Sequence, residues 1–581
     1  MNKKTKNSNI IPPLKVEGRK TLIRSSDKAN VLNSTFKKVF INDDGNLPTL
    51  SSHNKDIVPM PWTVISPSDV KKSIRNLKNS VSRTPDEIPA MFLKKCCSNL
   101  IQPLCELYNL SLSKNKVPSI WKEAIVTPIF KKGLKNDANN YRPISLTSVL
   151  CRVMEKIIQE KTIHHLLDNN LLSQNQHGFI PKRSTLSLHL NLLDELTTRL
   201  DNKTQVDMLY LDFSKAFDRV SHQKLIHTLS QYKIDCKIVN WLKDYLSCRR
   251  QRTVVENSFS NYCSISSGVP QGSVLGPMLF LLYVEDLLRL LQTNFPSIKA
   301  YAFADDLKLL GNNAKDLQDA LDVIENWTLQ WQLKIQPTKS ECITFKSQYS
   351  HLPDNILKYN INNNEFSKTK IVKDLGLHLT TNLKWTSYIQ KIRSKSNSLS
   401  HLILKSFRSV QPSIYITLYK TYVRPILEYN VSIWSTQIAE DIDLVEAAQR
   451  TFTRKLCQKL NIRYSDYSDR LKILKIESLE YRRLKMDLIL VYKILNNLID
   501  LDISKFFTIS QINNKYNLRR HSLYLENPKS QSTLRRNFFS VRILNTWNNL
   551  PNTIVTSETL PLFKNKLSNF PLSSIYKFRF I

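Results

Sequence analysis

The chain has 581 residues, with 84 Lys and Arg against 49 Asp and Glu, so its formal net charge is +35 and its sequence pI about 9.7. So large a positive excess points to nucleic acid or an anionic membrane as partner, since solubility alone needs far less. No apolar run approaches the ~20 residues that span a bilayer, Met1–Lys6 has no apolar stretch behind it, and nine scattered cysteines include no CxxC pair; a membrane protein, a secretory leader, a disulfide scaffold and a C-terminal zinc knuckle are all argued against.

Length suggests about three to four domains. Residues 1 to about 60 are polar and basic and predict a mostly irregular arm, with one helix over Lys28 to Phe40; Asp43-Asp44, running into Gly45, predicts a surface turn. Ser66-Pro67-Ser68-Asp69 predicts a helix start, and helices follow over Ala90 to Cys97 and Ile101 to Ser113. Residues 124 to 130 are strand-like and Val149 to Asp168 predicts a long helix. Val206 to Asp212 alternates as a central strand, and Leu225 to Tyr245 predicts two helices. Arg252 to Glu256 and Tyr262 to Ser266 predict a hairpin, and Val274 to Leu291 a helix buried on several sides. Ala314 to Leu333 predicts a helix and Glu341 to Phe345 a strand. From Trp385 the text is helical and basic, through Thr386 to Phe407 and Pro412 to Trp434. From Gln511 onward there are 11 Lys and Arg against 2 acids, with Phe538, Phe539, Trp547, Phe563 and Phe570 interleaved. That tail predicts RNA held by stacking and charge.

Three stretches carry chemistry. Tyr301-Ala302-Phe303-Ala304-Asp305-Asp306-Leu307-Lys308-Leu309-Leu310-Gly311 sets two adjacent aspartates at a turn between apolar strands. A core gains nothing from paired like charges; hard divalent cations need them. Upstream, Asp212 ends the strand Val206 to Leu211. Either site alone reads as an ordinary turn, but together they can converge on a pair of divalent ions, the requirement for nucleotidyl transfer. Between them lies Gly268-Val269-Pro270-Gln271-Gly272-Ser273-Val274-Leu275-Gly276-Pro277, holding three of only nine glycines, a loop whose backbone can approach a flat ligand closely.

The order of these motifs resembles the palm of reverse transcriptases, those of non-LTR retrotransposons (LINEs) of the jockey-like group. The likeness extends to Trp121 to Gly133 with Asn140 to Ser145, Gln176-His177-Gly178-Phe179, Trp331 to Phe345, Asp374-Leu375-Gly376, Arg424 to Tyr429 and Trp547-Asn548-Asn549-Leu550-Pro551. It implies an α+β right-hand polymerase: fingers, palm with a small antiparallel sheet, thumb, and a helical C-terminal region. The implied division is 1–60 arm or linker, 61–111 helical extension, 112–380 fingers and palm, 381–460 thumb and 461–581 basic helical region.

The resemblance implies roles residue by residue. Asp212 and Asp305 hold two Mg²⁺ ions (Mn²⁺ as a substitute), Asp306 helps position them, and the carbonyl of Phe213 is a further ligand. Phe217 lies under the incoming sugar and selects dNTPs; by position alone it is equally a core aromatic. Lys131 and Arg142 contact the triphosphate. Gln271 and Gly272 form the nucleotide loop, and Lys339 is the general acid for pyrophosphate. The implied activity is RNA-directed DNA synthesis on template RNA and a DNA primer, inside the cell, in nucleus or cytoplasm, with no membrane. The alternatives are an inactive RNA-binding remnant and a maturase-like enzyme. Phe303 stands where the family has Tyr, Gln336-Pro337 where Asn-Pro is usual, and Ser82 to Pro89 lacks the customary glycines. The stretch before Pro61 is too short for the family's endonuclease, which leaves an endonuclease or nicked DNA supplied in trans as the expected partner.

Overall fold

Val206–Asp212 is the middle strand of a five-stranded sheet, ordered Ser367–Lys368, Glu341–Phe345, Val206–Asp212, Asp306–Gly311, Lys299–Phe303. The computed structural model describes residues 10–16, 21–50, 57–61, 64–81, 84–346, 358–510 and 521–580. Met1–Lys6, Ser82, Arg83 and the start of the tail at Gln511 lie outside the described residues.

The strand alternates because it serves two cores. Leu209 and Leu211 face the helix Leu275–Asn294, whose Leu279, Leu282 and Tyr283 belong to the same apolar cluster. Val206 and Met208 face the other way, joining Leu188, Leu192 and Leu196 of the helix Thr185–Asp201. A strand buried on both faces shows no polar side, and successive side chains divide between the two cores. The helix Thr185–Asp201 had no counterpart in the sequence reading. Ser184 caps it, with Ser187 completing a capping box.

A second sheet pairs Glu123–Phe130 with Tyr141–Leu146 antiparallel and with Arg250–Val255 parallel. Glu256 turns the expected hairpin at φ 57°, so Arg250–Val255 pairs with the short strands Ser258–Phe259 and Cys263–Ser264. The predicted helix in the arm is Ser25–Lys37, and it is no solvated element: Ala29, Leu32 and Phe36 share a core with Val126, Tyr141 and Val255. Asp43-Asp44 is likewise not a bare surface turn. Asp44 accepts from the buried Lys224 at 2.8 Å, Asp43 accepts from Ser221, and Ile41 N donates to Ser267 Oγ at 2.8 Å. Burial of the Lys224 ammonium requires such a counter-charge.

Beyond Trp385 the helices Thr386–Ser406 and Ala439–Lys459 pack together. The stretch expected as one helix over Pro412 to Trp434 is interrupted: a π-turn covers Tyr419–Val423, Arg424–Glu428 follows, and Asn430 turns left-handed at φ 47°. Pro425 lacks the N–H that a continuous helix needs, and Asn tolerates that φ. The tail aromatics are core, contrary to the stacking expectation. Phe538, Phe539, Trp547 and Phe563 are buried, and Phe570 packs half-buried on the same cluster. That cluster joins Val206 and Met208 of the central strand to Leu427, Trp434, Leu488 and Leu572. Rings closed in this way offer no face to a base. Among the described residues, no helix is long and apolar enough to cross a membrane.

Candidate active site

The register sets Asp212 directly opposite Asp306, and Leu211 opposite Leu307. Directly opposed residues of an antiparallel pair share a face with Cβ atoms about 4.5–5.5 Å apart. Phe303 pairs with Asp306, so Ala304 and Asp305 form a two-residue turn, with Ala304 at φ 57°. Asp305 therefore sits at the tip of the hairpin whose second strand begins with Asp306. The three acids singled out in the sequence are brought together.

Their electrostatics reflect it. Burial, then the charge of Asp212, holds the Asp305 carboxyl above the usual range. Burial, then the charge of Asp305, raises the Asp306 carboxyl to about 6, although its exposed edge lets solvent moderate the rise. Asp212 accepts from Lys339 Nζ at 3.2 Å, its backbone carbonyl accepts from Gln336 N at 2.8 Å, and Lys339 also reaches Gln336 Oε1. Lys131 and Arg142 face the same acids from the rim of the second sheet, where Ile129 opposes Arg142. Burial, then the neighbouring charges of Arg142 and Lys339, holds the Lys131 ammonium below its usual range. A knot of cations thus stands before a knot of carboxylates.

The donor set fits hard divalent cations: carboxylate oxygens in mutual repulsion, plus one carbonyl. Phe213 bridges Ile335 through its neighbours' groups, Ser214 N to Lys334 O at 2.7 Å and Gln336 N to Asp212 O, so its own C=O points away from that pairing. Among the described residues, no three His, Cys, Asp or Glu side chains already stand as a ligand cluster. The fit rests on Asp212, Asp305 and that carbonyl.

Phe217 stacks on Phe280 with centroids 4.4 Å apart and meets Phe179 edge-on at 6.4 Å. Its carbonyl accepts from Val269 N at 2.8 Å, which ties it to the glycine loop. In that loop Gly272 has φ 121°, and a Cβ there would lie 2.5 Å from the Ser145 carbonyl oxygen. Gln271 is engaged within the protein: its Nε2 donates to Asp218 Oδ1 at 2.7 Å, and its carbonyl accepts from Ser145 N at 2.8 Å. Asp218 and Glu155 were not singled out in the sequence. Asp218 is buried, and Glu155 caps the helix Leu275–Asn294 by accepting from Val274 N and Leu275 N at 2.7 and 3.1 Å. The signal for Asp218 was its place in Ala216-Phe217-Asp218; nothing local marks Glu155.

The sheet thus presents carboxylates at a strand end and a hairpin tip, faced by cations from a second sheet. Residues 129–379 match the family profile described as reverse transcriptase (RNA-dependent DNA polymerase). Over 413 residues the chain is 27% identical to the probable RNA-directed DNA polymerase from transposon X-element of Drosophila melanogaster, covering 68% of this chain and 44% of that protein. It is 28% identical over 425 residues to the corresponding protein from transposon BS of the same species, covering 68% and 45%. It is 23% identical over 411 residues to the RNA-directed DNA polymerase from mobile element jockey of the same species, covering 68% and 44%. The aligned region amounts to less than half the length of each of these non-LTR retrotransposon proteins.

Proposed function

We propose that the chain is an RNA-directed DNA polymerase of the non-LTR retrotransposon kind, extending a DNA primer on template RNA with dNTPs. The observation that carries this reading is the register that puts Asp212 opposite Asp306, beside the turn of Asp305. In this reading the sheet around Val206–Asp212 is the palm, the Glu123–Phe130 sheet the fingers, and the helices after Trp385 the thumb. Between Thr386 and Leu427 there are seven Lys and Arg and no acid, a composition suited to a phosphate backbone.

Asp212, Asp305 and the Phe213 carbonyl would hold two Mg²⁺ ions, with Mn²⁺ as a substitute, and Asp306 would support them. Bound there, the ions supply activation of the primer 3′-hydroxyl and charge stabilisation on the α-phosphate and its leaving oxygen. Lys131 and Arg142 orient the triphosphate by charge and fork geometry. Lys339, which donates to Asp212, would give a proton to the departing pyrophosphate. Phe217, braced by Phe280, closes the space that a 2′-hydroxyl would take. Gln271 and Gly272 bring the loop backbone up to the nascent pair.

Primer extension on an RNA template with Mg²⁺ tests this, with Asp305→Ala as control. The native chain should extend the primer, and the variant should lose on the order of a thousandfold or more in rate while still binding RNA–DNA. Equal incorporation by both defeats the assignment. Salt-sensitive RNA binding without extension by either favours the binding-only remnant.

A further inference from the structure

The turn that carries Asp305 is strained and needs support. Ala304, its first residue, sits at φ 57°, where an L-residue other than Gly, Asn or Asp is costly. Ala304 is also buried, at 7% exposure, so its N–H and C=O must find partners. One side chain meets both needs. Gln176 Oε1 accepts from Ala304 N at 2.9 Å, and Gln176 Nε2 lies 3.5 Å from Ala304 O. The same Oε1 accepts from Gly178 N at 2.9 Å.

The clamp is built from several directions. The segment around Gln176 runs parallel to the hairpin strand, with Ala302 N donating to Asn175 O at 2.9 Å and His177 N to Ala302 O at 2.8 Å. Gly178 allows the close approach: a Cβ there would lie 2.5 Å from Ala304 N. Gln176 is itself held. Arg183 Nη1 donates to its carbonyl at 2.7 Å, and Arg183 Nε pairs with Asp500 at 2.7 Å. Gln176 is 1% exposed, so no water competes for its amide.

We propose that Gln176 is the positioning residue of the Asp305 turn: it fixes Ala304 at its positive φ and so holds Asp305 at the hairpin tip beside the opposed pair Asp212 and Asp306. This rests on the reading of Asp212 and Asp305 as the metal-holding pair. Gln176 touches neither metal nor nucleotide; it acts through the backbone of Ala304. Without it, two buried amide groups lose their acceptor and the turn relaxes toward negative φ.

The test uses the full chain and two substitutions. Gln176→Met keeps the size and removes the amide. Gln176→Glu enters a site only 1% exposed, which disfavours its charged form, and its carbonyl oxygen still accepts from both amides. Mn²⁺ binding is measured by electron paramagnetic resonance, with Asp305→Asn to identify the site. The Mg²⁺ concentration for half-maximal primer extension, duplex affinity and melting temperature are followed in parallel. Gln176→Met should weaken Mn²⁺ binding about tenfold and raise the Mg²⁺ requirement to match, as expected for losing a buried hydrogen-bond acceptor. Its duplex affinity should stay within about twofold of native, and Gln176→Glu should recover most of the loss in metal affinity. Native Mn²⁺ affinity in Gln176→Met, or a Gln176→Glu variant as impaired as Gln176→Met, overturns the proposal. So does a fall in melting temperature and duplex binding that tracks the metal loss, which assigns Gln176 to the fold alone. A native chain that binds no Mn²⁺ at Asp305 fails differently: it removes the metal reading and the clamp with it.

Discussion

Lys308, two residues beyond Asp306, makes an ion pair with Asp374, and the two side chains are 2% and 1% exposed. Asp374 also accepts from Tyr210 OH at 3.2 Å and lies 3.5 Å from His189 Nε2, while Asn430 Nδ2 approaches His189 Nδ1 at 3.3 Å. The hairpin of the candidate active site is thereby wired to the Ile371–Asp374 strand, the Thr185–Asp201 helix and the start of the Val431–Trp434 helix.

Breaking that pair singly should be severe. Asp374→Ala leaves a buried ammonium without its counter-charge and should cost about 3–5 kcal/mol, seen as a lower denaturation midpoint or loss of soluble protein. Asp374→Leu combined with Lys308→Met should restore most of that stability, because two matched apolar groups remove the desolvation problem. A double substitution as damaged as the single one would contradict this. Burial alone would raise the Asp374 carboxyl, but Lys308 and His189 outweigh it and hold it well below its ordinary 3.8. Its contribution is therefore complete above that value and is lost as pH falls below it.

Asp218 works with the opposite sign. Burial pushes its carboxyl from 3.8 up to about 6, against the lowering effects of Gln271 and Lys215. Between those values the folded chain keeps a proton that the unfolded chain releases, so stability falls as pH rises from 3.8 to about 6 and is lowest above it. Two units correspond to about 3 kcal/mol. Asp218→Asn keeps an acceptor for Gln271 and cannot ionise. Thermal melts should find it more stable than native at pH 7.5, with a flatter dependence between pH 4 and 6.5. An unchanged pH profile would remove the ionisation argument.

Phe217 should govern sugar choice. Phe217→Val frees the space beside the Phe280 ring and should narrow the preference for dNTP over rNTP by about 10- to 200-fold, the worth of one apolar contact in a tight pocket. Single-nucleotide incorporation with each substrate measures it. Unaltered discrimination would make Phe217 a core aromatic and nothing more.

Trp547 should behave as a core residue. It is fully buried, donates from Nε1 to Leu523 O at 3.0 Å, and its carbonyl accepts from His521 at 3.2 Å. Trp547→Ala should cost about 3–5 kcal/mol, with RNA affinity falling only as the folded fraction falls. Weakened RNA binding in a fully folded variant would restore the stacking role.

Legibility followed the range of the cause. The strand ends at Asp212 and the aspartate hairpin were readable because alternation and turn chemistry are local, and the helix Val149–Asp168 and strand Glu341–Phe345 have the expected bounds. The helix Thr185–Asp201 was hidden because Leu186, Leu188, Leu190 and Leu192 alternate as a strand would, while burial on many sides erased the polar face. Asp43-Asp44 looked like a surface turn because Lys224, which Asp44 balances, lies 180 residues away. The tail aromatics were misread because composition does not say whether a ring faces a core or a ligand. Gln176 lay inside a quoted motif, but its role depends on Ala304, 128 residues on.

The cluster that unites Val206 with Leu572 bears on how this molecule can be divided. A fragment trimmed to residues 129–379 would keep the helix Thr185–Asp201 over Met208 but lose Leu427, Trp434, Leu488 and Leu572 from that cluster, baring part of its apolar side chains to water. Those side chains would then drive aggregation instead of folding. The matched segment is a unit of ancestry here, and the apolar core it shares reaches almost to the last residue.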